Sequence, residues 1–422
     1  MARTPIEADL TQSALPQVPL LRDGRYVRIW LVGWLTGVVR WLEMLAFGIL
    51  AWELTGSPSL VALVALLRFL PMALFSAIFG ALADQMDPRR MMMLALLAIT
   101  AVAVAMLGLQ VSGWLAYWHV CACALASGVY WASDMPIRRK MMGEIAGPER
   151  LAQAMSWDYA TSNGTRMIGP LIGGVLYQSL GMDGVFLLSI GHYAVAILCA
   201  VGLKPSGGVV RSGGVRPGKV LIEAWQALRH ALRNNDMVCI MAMTVIFNIW
   251  VFPYVSMIPV VGEEDLGLSA AMIGYISAIE GAAGLLVIGF IGMLARPRAF
   301  RLIYASGVGL AMGAVVFMGV VQGFWPLVAG LAAAGVFLAL FASMQSTLVY
   351  RAAPEAMRGR YLGLISLCIG SGLIGFANIG LTAEFFGAAN AMWIIAVEGA
   401  IPFLLVLAFW RDLHVDLGLR RR

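Results

Sequence analysis

Five charged side chains stand inside long apolar stretches of the sequence: Arg40, Glu43, Arg68, Arg166 and Glu280. A charge in apolar surroundings is costly, so such a residue normally faces a polar cavity or an oppositely charged partner. A carboxylate in such a place can take up and release a proton, and a neighbouring arginine competes with that proton for the carboxylate. The five residues therefore predict a buried polar site that contains a titratable glutamate.

The two glutamates differ in their sequence neighbours. Arg40 precedes Glu43 by three residues, which places both on one helix face, and Glu43 and Arg68 come at matching depths of adjacent helices. Glu280 has no arginine within one helical turn. We therefore expect Glu280, and after it Glu43, to carry the proton. Static ion pairs between helices are the alternative, above all for Arg40, Glu43 and Arg68.

The composition of the chain indicates where these charges lie. Of the 422 residues, 61% are hydrophobic and 12% are charged, and the mean hydropathy is +0.85. Soluble domains carry about 25% charged residues, so the chain is predicted to be a membrane protein. The net charge of +6 then reflects cytoplasmic loops rather than nucleic-acid binding. The cysteines show no metal-ligand spacing, and we expect no metal, no cofactor and no enzymatic activity.

Twelve segments are long and apolar enough to cross a bilayer as helices. They cover residues 27–52, 57–82, 91–111, 114–134, 153–178, 184–203, 237–260, 269–294, 301–321, 325–349, 360–382 and 388–410. Apart from Arg40, Arg68 and Arg166, the basic residues fall on one side of these spans. By the positive-inside rule, we predict an all-α, multi-pass protein of the cell (inner) membrane with both termini in the cytoplasm.

The spans fall into two halves joined by a polar linker. We divide the chain into a tail (1–26), a six-helix bundle (27–203), a cytoplasmic linker with an amphipathic helix (204–236), a second six-helix bundle (237–410) and a tail (411–422). Gly169 and Gly174 recur as Gly375 and Gly380, 206 positions later, and the motif at Gly80 recurs 212 positions later. Repeated halves of this kind hold a substrate near the midplane between them.

The segment GALADQMDPRR, residues 80–90, carries a family resemblance. It resembles the loop 2–3 signature of the major facilitator superfamily, and Gly80, Asp84, Arg89 and Arg90 match that signature. WELTGSPSLVAL and MRGRYLG resemble the branch that contains enterobactin exporters and macrolide efflux pumps. The resemblance implies twelve transmembrane helices in two pseudo-symmetric six-helix bundles, alternating access, and export rather than uptake.

The same signature suggests a cytoplasmic gate. We expect Asp84 to accept hydrogen bonds from the N-terminus of the eleventh span, which begins near Arg360 and Tyr361. Arg358 and Arg360 belong to the same predicted gate. Arg89 or Arg90 would pair with Asp134 at the end of the fourth span. The alternative is that the arginines serve topology alone.

A glycine-rich stretch, GTRMIGPLIGGVL at 164–176, occupies the fifth span. It resembles a glycine-proline signature of proton-coupled exporters in the superfamily. Pro170 bends a helix by removing a hydrogen bond, and Gly169, Gly173 and Gly174 permit close approach of a neighbouring helix. We interpret the segment as a moving helix, with tight packing alone as the alternative.

Polar and aromatic residues on the predicted cavity helices complete the candidate site: Trp41, Tyr159, Asn163, Trp250, Tyr254 and Tyr275. The aromatic rings can stack on an amphipathic solute, or they can serve packing and lipid contact. The sequence thus predicts a monomeric secondary exporter of a siderophore, macrolide or other hydrophobic compound, with protons and membrane lipid as its other partners. A lipid or lysolipid translocator and a non-transporting membrane sensor or scaffold remain alternatives.

Overall fold

The computed structural model describes residues 19–83, 86–203, 225–294, 296–354 and 357–416. These residues form helices joined by short turns, and none of them lies in a β-strand. The tail residues 1–18 and 417–422 and most of the predicted linker, 204–224, lie outside the described residues.

The first half contains six helices. Helix α1 is Gly24–Thr55, α2 is Pro58–Ala83 and α3 is Pro88–Val111. The run Tyr117–Val201 is continuous except at two glycines with positive φ, Gly147 (71°) and Gly181 (62°). These glycines adopt a conformation that residues with a Cβ avoid, and they divide the run into α4 (117–146), α5 (148–180) and α6 (182–201).

The second half repeats this order. Helix α7 covers Asn235–Asp265, α8 is Ala270–Leu294, α9 is Phe300–Val320 and α10 is Phe324–Ala352. Helix α11 consists of Arg358–Gly370 and Gly372–Phe386, and α12 covers Ala388–Phe409.

The membrane-spanning character follows from length and apolarity. Ten helical segments among the described residues are long and apolar enough to cross a bilayer. One of the ten, Glu149–Val201, contains the turn at Gly181 and so holds both α5 and α6. Helix α4 is not among the ten. The ten segments thus hold eleven of the twelve predicted spans, and the membrane span at α4 stays a prediction.

Helix α7 departs from regular α-helix in its second part. It is regular from Asn235 to Ile246 and continues as a π turn (Phe247–Val251) and a 3₁₀ turn (Phe252–Ser256). Pro253 and Pro259 lie in this part and donate no backbone hydrogen bond. Irregular backbone at membrane depth is tolerated where it is buried in protein or lines a cavity.

Equivalent glycines make equivalent contacts in the two halves. A Cβ at Gly169 would come within 2.9 Å of the Val38 carbonyl oxygen on α1, and a Cβ at Gly375 would meet the backbone and Pro253 of α7. A Cβ at Gly174 would meet Gly274 on α8, and one at Gly380 would meet Ala62 and Ser59 on α2. The contacts therefore follow the sequence repeat, and the helices among the described residues form two pseudo-symmetric halves.

The described end of the predicted linker is a short helix at 225–231. Its His230 ring nitrogen Nδ1 lies 2.6 Å from the hydroxyl of Tyr361, which is fully buried near the start of α11. Trp225 is exposed, while Ala227 and Ala231 are buried. This part of the linker therefore has one packed face and one open face, and its role as an amphipathic helix stays a prediction.

Candidate functional site

A cavity lies between the two halves. Its wall comes from α1, α2 and α5 on one side and from α7, α8 and α10 on the other. Most of the lining is apolar, for example Met44, Phe47 and Ile258, and three charged residues, Arg68, Arg166 and Glu280, interrupt it. An apolar pocket with a few placed polar groups is the usual form of a small-molecule site.

An ion pair joins the halves at this cavity. The Arg166 guanidinium on α5 donates a hydrogen bond to Oε1 of Glu280 on α8, and the two side chains are 14% and 5% exposed. The guanidinium carbon also lies 4.8 Å from the ring centre of Trp41 and 5.8 Å from that of Phe252. Arg166 therefore contacts both halves through a carboxylate and two aromatic rings, at distances typical of cation–π contacts.

A second ion pair belongs to the first half alone. Arg68 on α2 lies 3.3 Å from Oε2 of Glu43 on α1, as predicted, and it also donates to the carbonyl of Arg40 at 2.8 Å. Ser127 on α4 donates to the same Glu43 oxygen at 3.1 Å. Both charged side chains are almost completely buried. This pair links three helices of one bundle.

The predicted pairing of Arg89 or Arg90 with Asp134 is wrong. Asp134 is buried and pairs with Arg40 at 3.6 Å and with Arg138 at 3.2 Å. Arg138 lies one helical turn from Asp134 on α4, so these two side chains pair within a single helix. Arg89 donates instead to the carbonyls of the α6 end, at Ala200 and Val201, and Arg90 pairs with Asp87.

The structure describes the remaining predicted gate residues only in part. Asp84 lies outside the described residues, and so does the side chain of Arg358; the Gly80 and Arg358 positions are both helical. Arg360 is exposed in the first turn of α11. The cytoplasmic gate stays a prediction.

The predicted polar and aromatic residues separate into two groups. Trp41 lines the cavity, and the buried Tyr254 is close enough to Glu280 and Arg166 to interact electrostatically. Asn163 donates to the carbonyl of Tyr159 on its own helix, at 2.9 Å.

Trp250 and Tyr275 lie away from the cavity lining. Trp250 packs against Gly399 of α12. Tyr275 is exposed in a separate groove of α5 and α8, together with Leu171 and Val175. Packing and lipid contact, the alternative interpretation, describe these two residues better.

Glycines let α5 pack closely on two neighbours. Gly169 and Gly173 face α1, where a Cβ would meet Trp41 and Leu42, and Gly174 faces Gly274 of α8. The carbonyl of Pro170 lies beside Gly274, and the helix continues through Pro170 without a break. These close contacts place α5, and with it Arg166, between the two halves. Movement of α5 stays a prediction.

Two hydrogen-bonded caps join the halves at the predicted outer end, the end that carries the turns at Gly56, Gly113 and Gly181. Oε1 of Gln178, near the end of α5, accepts from the backbone N–H of Ala271 in the first turn of α8 at 3.1 Å. Glu384, near the end of α11, accepts from the backbone N–H of Ser59 on α2 at 3.3 Å and from the Ser57 hydroxyl at 2.8 Å.

The two caps are equivalent by sequence as well as by geometry. Glu384 follows Gln178 by 206 positions, and Ala271 follows Ser59 by 212, the offsets of the internal repeat. Each cap satisfies backbone N–H groups that lack a partner within their own helix. The sequence did not predict these caps.

Comparison with known proteins identifies the family. The model of the Major Facilitator Superfamily matches residues 29–375. The chain belongs to the Major Facilitator Superfamily. It is therefore a multi-pass membrane transport protein and not an enzyme, as the sequence predicted.

Similar major facilitator proteins come from bacteria. The uncharacterized MFS-type transporter YfiS of Bacillus subtilis is 22% identical over 376 residues, covering 84% of this chain and 85% of the relative. Macrolide efflux protein A of Streptococcus pyogenes is 20% identical over 324 residues, covering 76% of this chain and 78% of the relative.

Solved structures show the same fold. The nucleoside transporter NupG has a TM-score of 0.71 at 12% identity, with 92% of this chain and 99% of that chain covered. A bacterial homolog of the human lysosomal transporter Spinster, inward-facing and unoccupied, has a TM-score of 0.71 at 14% identity, with 95% and 99% covered.

Proposed function

We propose that this major facilitator protein exports an amphipathic small molecule, such as a siderophore, a macrolide or another hydrophobic compound, by proton antiport. The observation that carries the proposal is the Arg166–Glu280 ion pair, which joins the two halves within the cavity. A carboxylate that holds the halves together and also faces the cavity is available to both a proton and a substrate.

Proton binding and half-to-half contact are linked at Glu280. A proton on Glu280 removes the charge that holds Arg166, because a neutral carboxyl forms a weaker hydrogen bond with a guanidinium. Arg166 then keeps its contacts with the Trp41 and Phe252 rings, so it is not left without a partner in the membrane. Protonation thus loosens one link between the halves without exposing a charge to lipid.

Antiport requires that substrate and proton exclude each other. A substrate donor group that binds the Glu280 carboxylate competes with the proton for the same oxygens, and such competition is a negative coupling between the two ligands. The apolar wall around Met44, Phe47 and Ile258 suits the hydrophobic part of the substrate. The similarity to macrolide efflux protein A supports the outward direction.

A lysolipid or lipid is a second candidate substrate, and one observation favours it. A groove on α5 and α8, lined by Leu171, Ile172, Val175, Leu176 and Tyr275, is wholly apolar apart from the tyrosine hydroxyl. Such a groove suits an acyl chain, and a translocator of this kind takes its substrate from the membrane.

The test measures proton movement in inside-out vesicles with a preset pH gradient. Siderophores, macrolides, cationic dyes and lysolipids are added in turn to vesicles that contain wild type, Glu280→Gln or Glu264→Gln. Glu264 is an exposed acid near the end of α7 and serves as the matched control. We expect one compound to discharge the gradient in wild type and in Glu264→Gln but not in Glu280→Gln.

Other outcomes contradict separate parts of the proposal. An equal response of wild type and Glu280→Gln removes Glu280 from the coupling and points to Glu43. Uptake of a labelled compound with no proton movement excludes proton coupling but leaves transport intact. A response confined to lysolipids favours the translocator.

A further inference from the structure

A carboxylate lies on the outer surface of the bundle at mid-membrane depth. Glu398 is the eleventh residue of α12, Ala388–Phe409, and its side chain is exposed. At 1.5 Å per residue it lies about 15 Å from either end of the helix. The cavity between the halves does not include it.

The surroundings of Glu398 are lipid-facing. On α12 the large apolar side chains of Val397, Ile401, Leu404 and Leu405 are exposed, and on the adjacent α11 those of Ile374 and Leu381 are exposed. Apolar side chains that stand exposed on membrane-spanning helices contact acyl chains. Glu398 therefore interrupts a lipid-contacting face formed by α11 and α12.

One polar neighbour accompanies the carboxylate. Asn378 on α11 donates from Nδ2 to Oε2 of Glu398 at 2.8 Å. Among the described residues, Oε1 of Glu398 and the second N–H of the Asn378 amide have no hydrogen-bond partner. This Glu398–Asn378 pair thus offers one spare acceptor and one spare donor to whatever covers it.

An ionisable residue within the membrane normally faces the protein interior, a water-filled cavity or a partner. The first two do not apply to Glu398, and Asn378 satisfies only one of its two carboxylate oxygens, which leaves room for a further partner in the membrane. The spare groups are self-complementary, because a second Glu398–Asn378 pair turned by a two-fold axis supplies the donor that Oε1 needs and the acceptor that the amide needs. Contacts related by a two-fold axis are the commonest arrangement in protein oligomers.

We propose that the face of α11 and α12 around Glu398 and Asn378 binds a second copy of this chain. Two hydrogen bonds, each from Asn378 of one copy to Glu398 of the other, lie at the centre of the contact. The exposed apolar side chains around them provide the packing. The inference does not depend on what the protein transports, and it replaces the monomer expected from the sequence.

The experiment counts subunits by single-molecule photobleaching in vesicles, over a series of protein-to-lipid ratios. Wild type is compared with Glu398→Leu and with Glu398→Gln, which keeps an acceptor oxygen. We expect wild type to dimerise and Glu398→Leu to raise the dissociation constant about tenfold, the effect of losing two interhelical hydrogen bonds. Glu398→Gln should dimerise nearly as well as wild type. Asn390→Leu, which removes an exposed polar group near the end of the same helix, is the control and should dimerise normally.

Cross-linking locates the contact independently of these variants. In protein that lacks its native cysteines, Ile401→Cys on the proposed face should cross-link between copies with a short bismaleimide. Leu310→Cys, exposed on α9, should not. Single copies at every protein-to-lipid ratio would overturn the proposal. So would dimers that Glu398→Leu leaves unchanged, or cross-linking through position 310 instead of 401.

Discussion

At the scale of single residues, the two buried glutamates near the cavity differ in the residues with which they form ion pairs and hydrogen bonds. Glu43 has Arg68 and Ser127 from its own half, whereas Glu280 has Arg166 from the other half. The sequence indicated both carboxylates and the Glu43–Arg68 pair, because the partners come from adjacent helices at matching depth. It did not indicate Arg166 as the partner of Glu280, since 114 positions separate them and no helical spacing connects them.

We expect the Glu43–Arg68 pair to stabilise the first bundle without taking part in coupling. Arg68→Met should lower the free energy of unfolding by about 3 kcal/mol, because it leaves a buried carboxylate without its charged partner. Glu43→Gln combined with Arg68→Met should recover most of that loss, since no charge is then left uncompensated. Thermal unfolding in detergent measures both variants. Additive losses in the double variant would show that the two side chains do not depend on each other.

At the scale of helices, the glycine positions could be predicted but their partners could not. The repeat of Gly169 and Gly174 at Gly375 and Gly380 indicated equivalent close contacts, and the structure places all four against neighbouring helices. The sequence alone did not tell which helix each glycine faces, because a glycine is compatible with any close neighbour. It also gave no sign of the π turn and 3₁₀ turn in α7.

Closure of the outer end should depend on the contact between α5 and α8. We expect Gly174→Val to reduce transport at least about tenfold, because the added side chain meets the Gly274 backbone and nothing there can move aside. Gly191→Val is the matched control, since a Cβ at Gly191 on α6 meets no atom within 4 Å. Transport into vesicles is measured for each. Equal transport by the two variants would contradict a role for this contact.

The two caps should hold the outer end shut. In a cysteine-free background, Ser277→Cys places a thiol in the cavity, where a membrane-impermeant maleimide reacts if the outer end opens. We expect Gln178→Leu and Glu384→Leu together to raise the labelling rate at position 277 several-fold, because each removes a hydrogen-bond acceptor between the halves. Gln322→Leu, an exposed glutamine between α9 and α10, should leave the rate unchanged. An unchanged rate in the double variant would exclude the caps as a gate.

At the scale of the whole molecule, hydropathy and the repeat predicted the spans and the two halves, and the resemblance of the segment at residues 80–90 implied the family fold. Apolar length identifies spans without knowledge of their neighbours, and the Gly80 and Gly169 repeats indicated two halves. Contacts between loops were not predictable in the same way. Arg89 and Asp134 were expected to meet because their charges are opposite, but Arg138 and Arg40 are nearer to Asp134 in the fold.

The orientation in the membrane has a direct test. We expect Ser112→Cys, in the turn between α3 and α4, to react with an impermeant maleimide on intact cells, since the loops at that end lack basic residues. Arg298→Cys, in the turn between α8 and α9, should react after permeabilisation alone. Both side chains are exposed, so accessibility within the fold does not separate them. The reverse pattern would place both termini outside.

In the predicted orientation, the chemical difference between the two caps means that the pH outside the cell affects one of them and not the other. Gln178 is an amide and has the same charge at every acidity, whereas Glu384 is a carboxylate in the equivalent position. In a strongly acidic medium the bond to Ser57 and Ser59 loses its ionic character and weakens, while the bond to Ala271 does not change. Acid outside the cell would then weaken the Glu384 cap but not the Gln178 cap. The two halves would therefore separate first between α2 and α11.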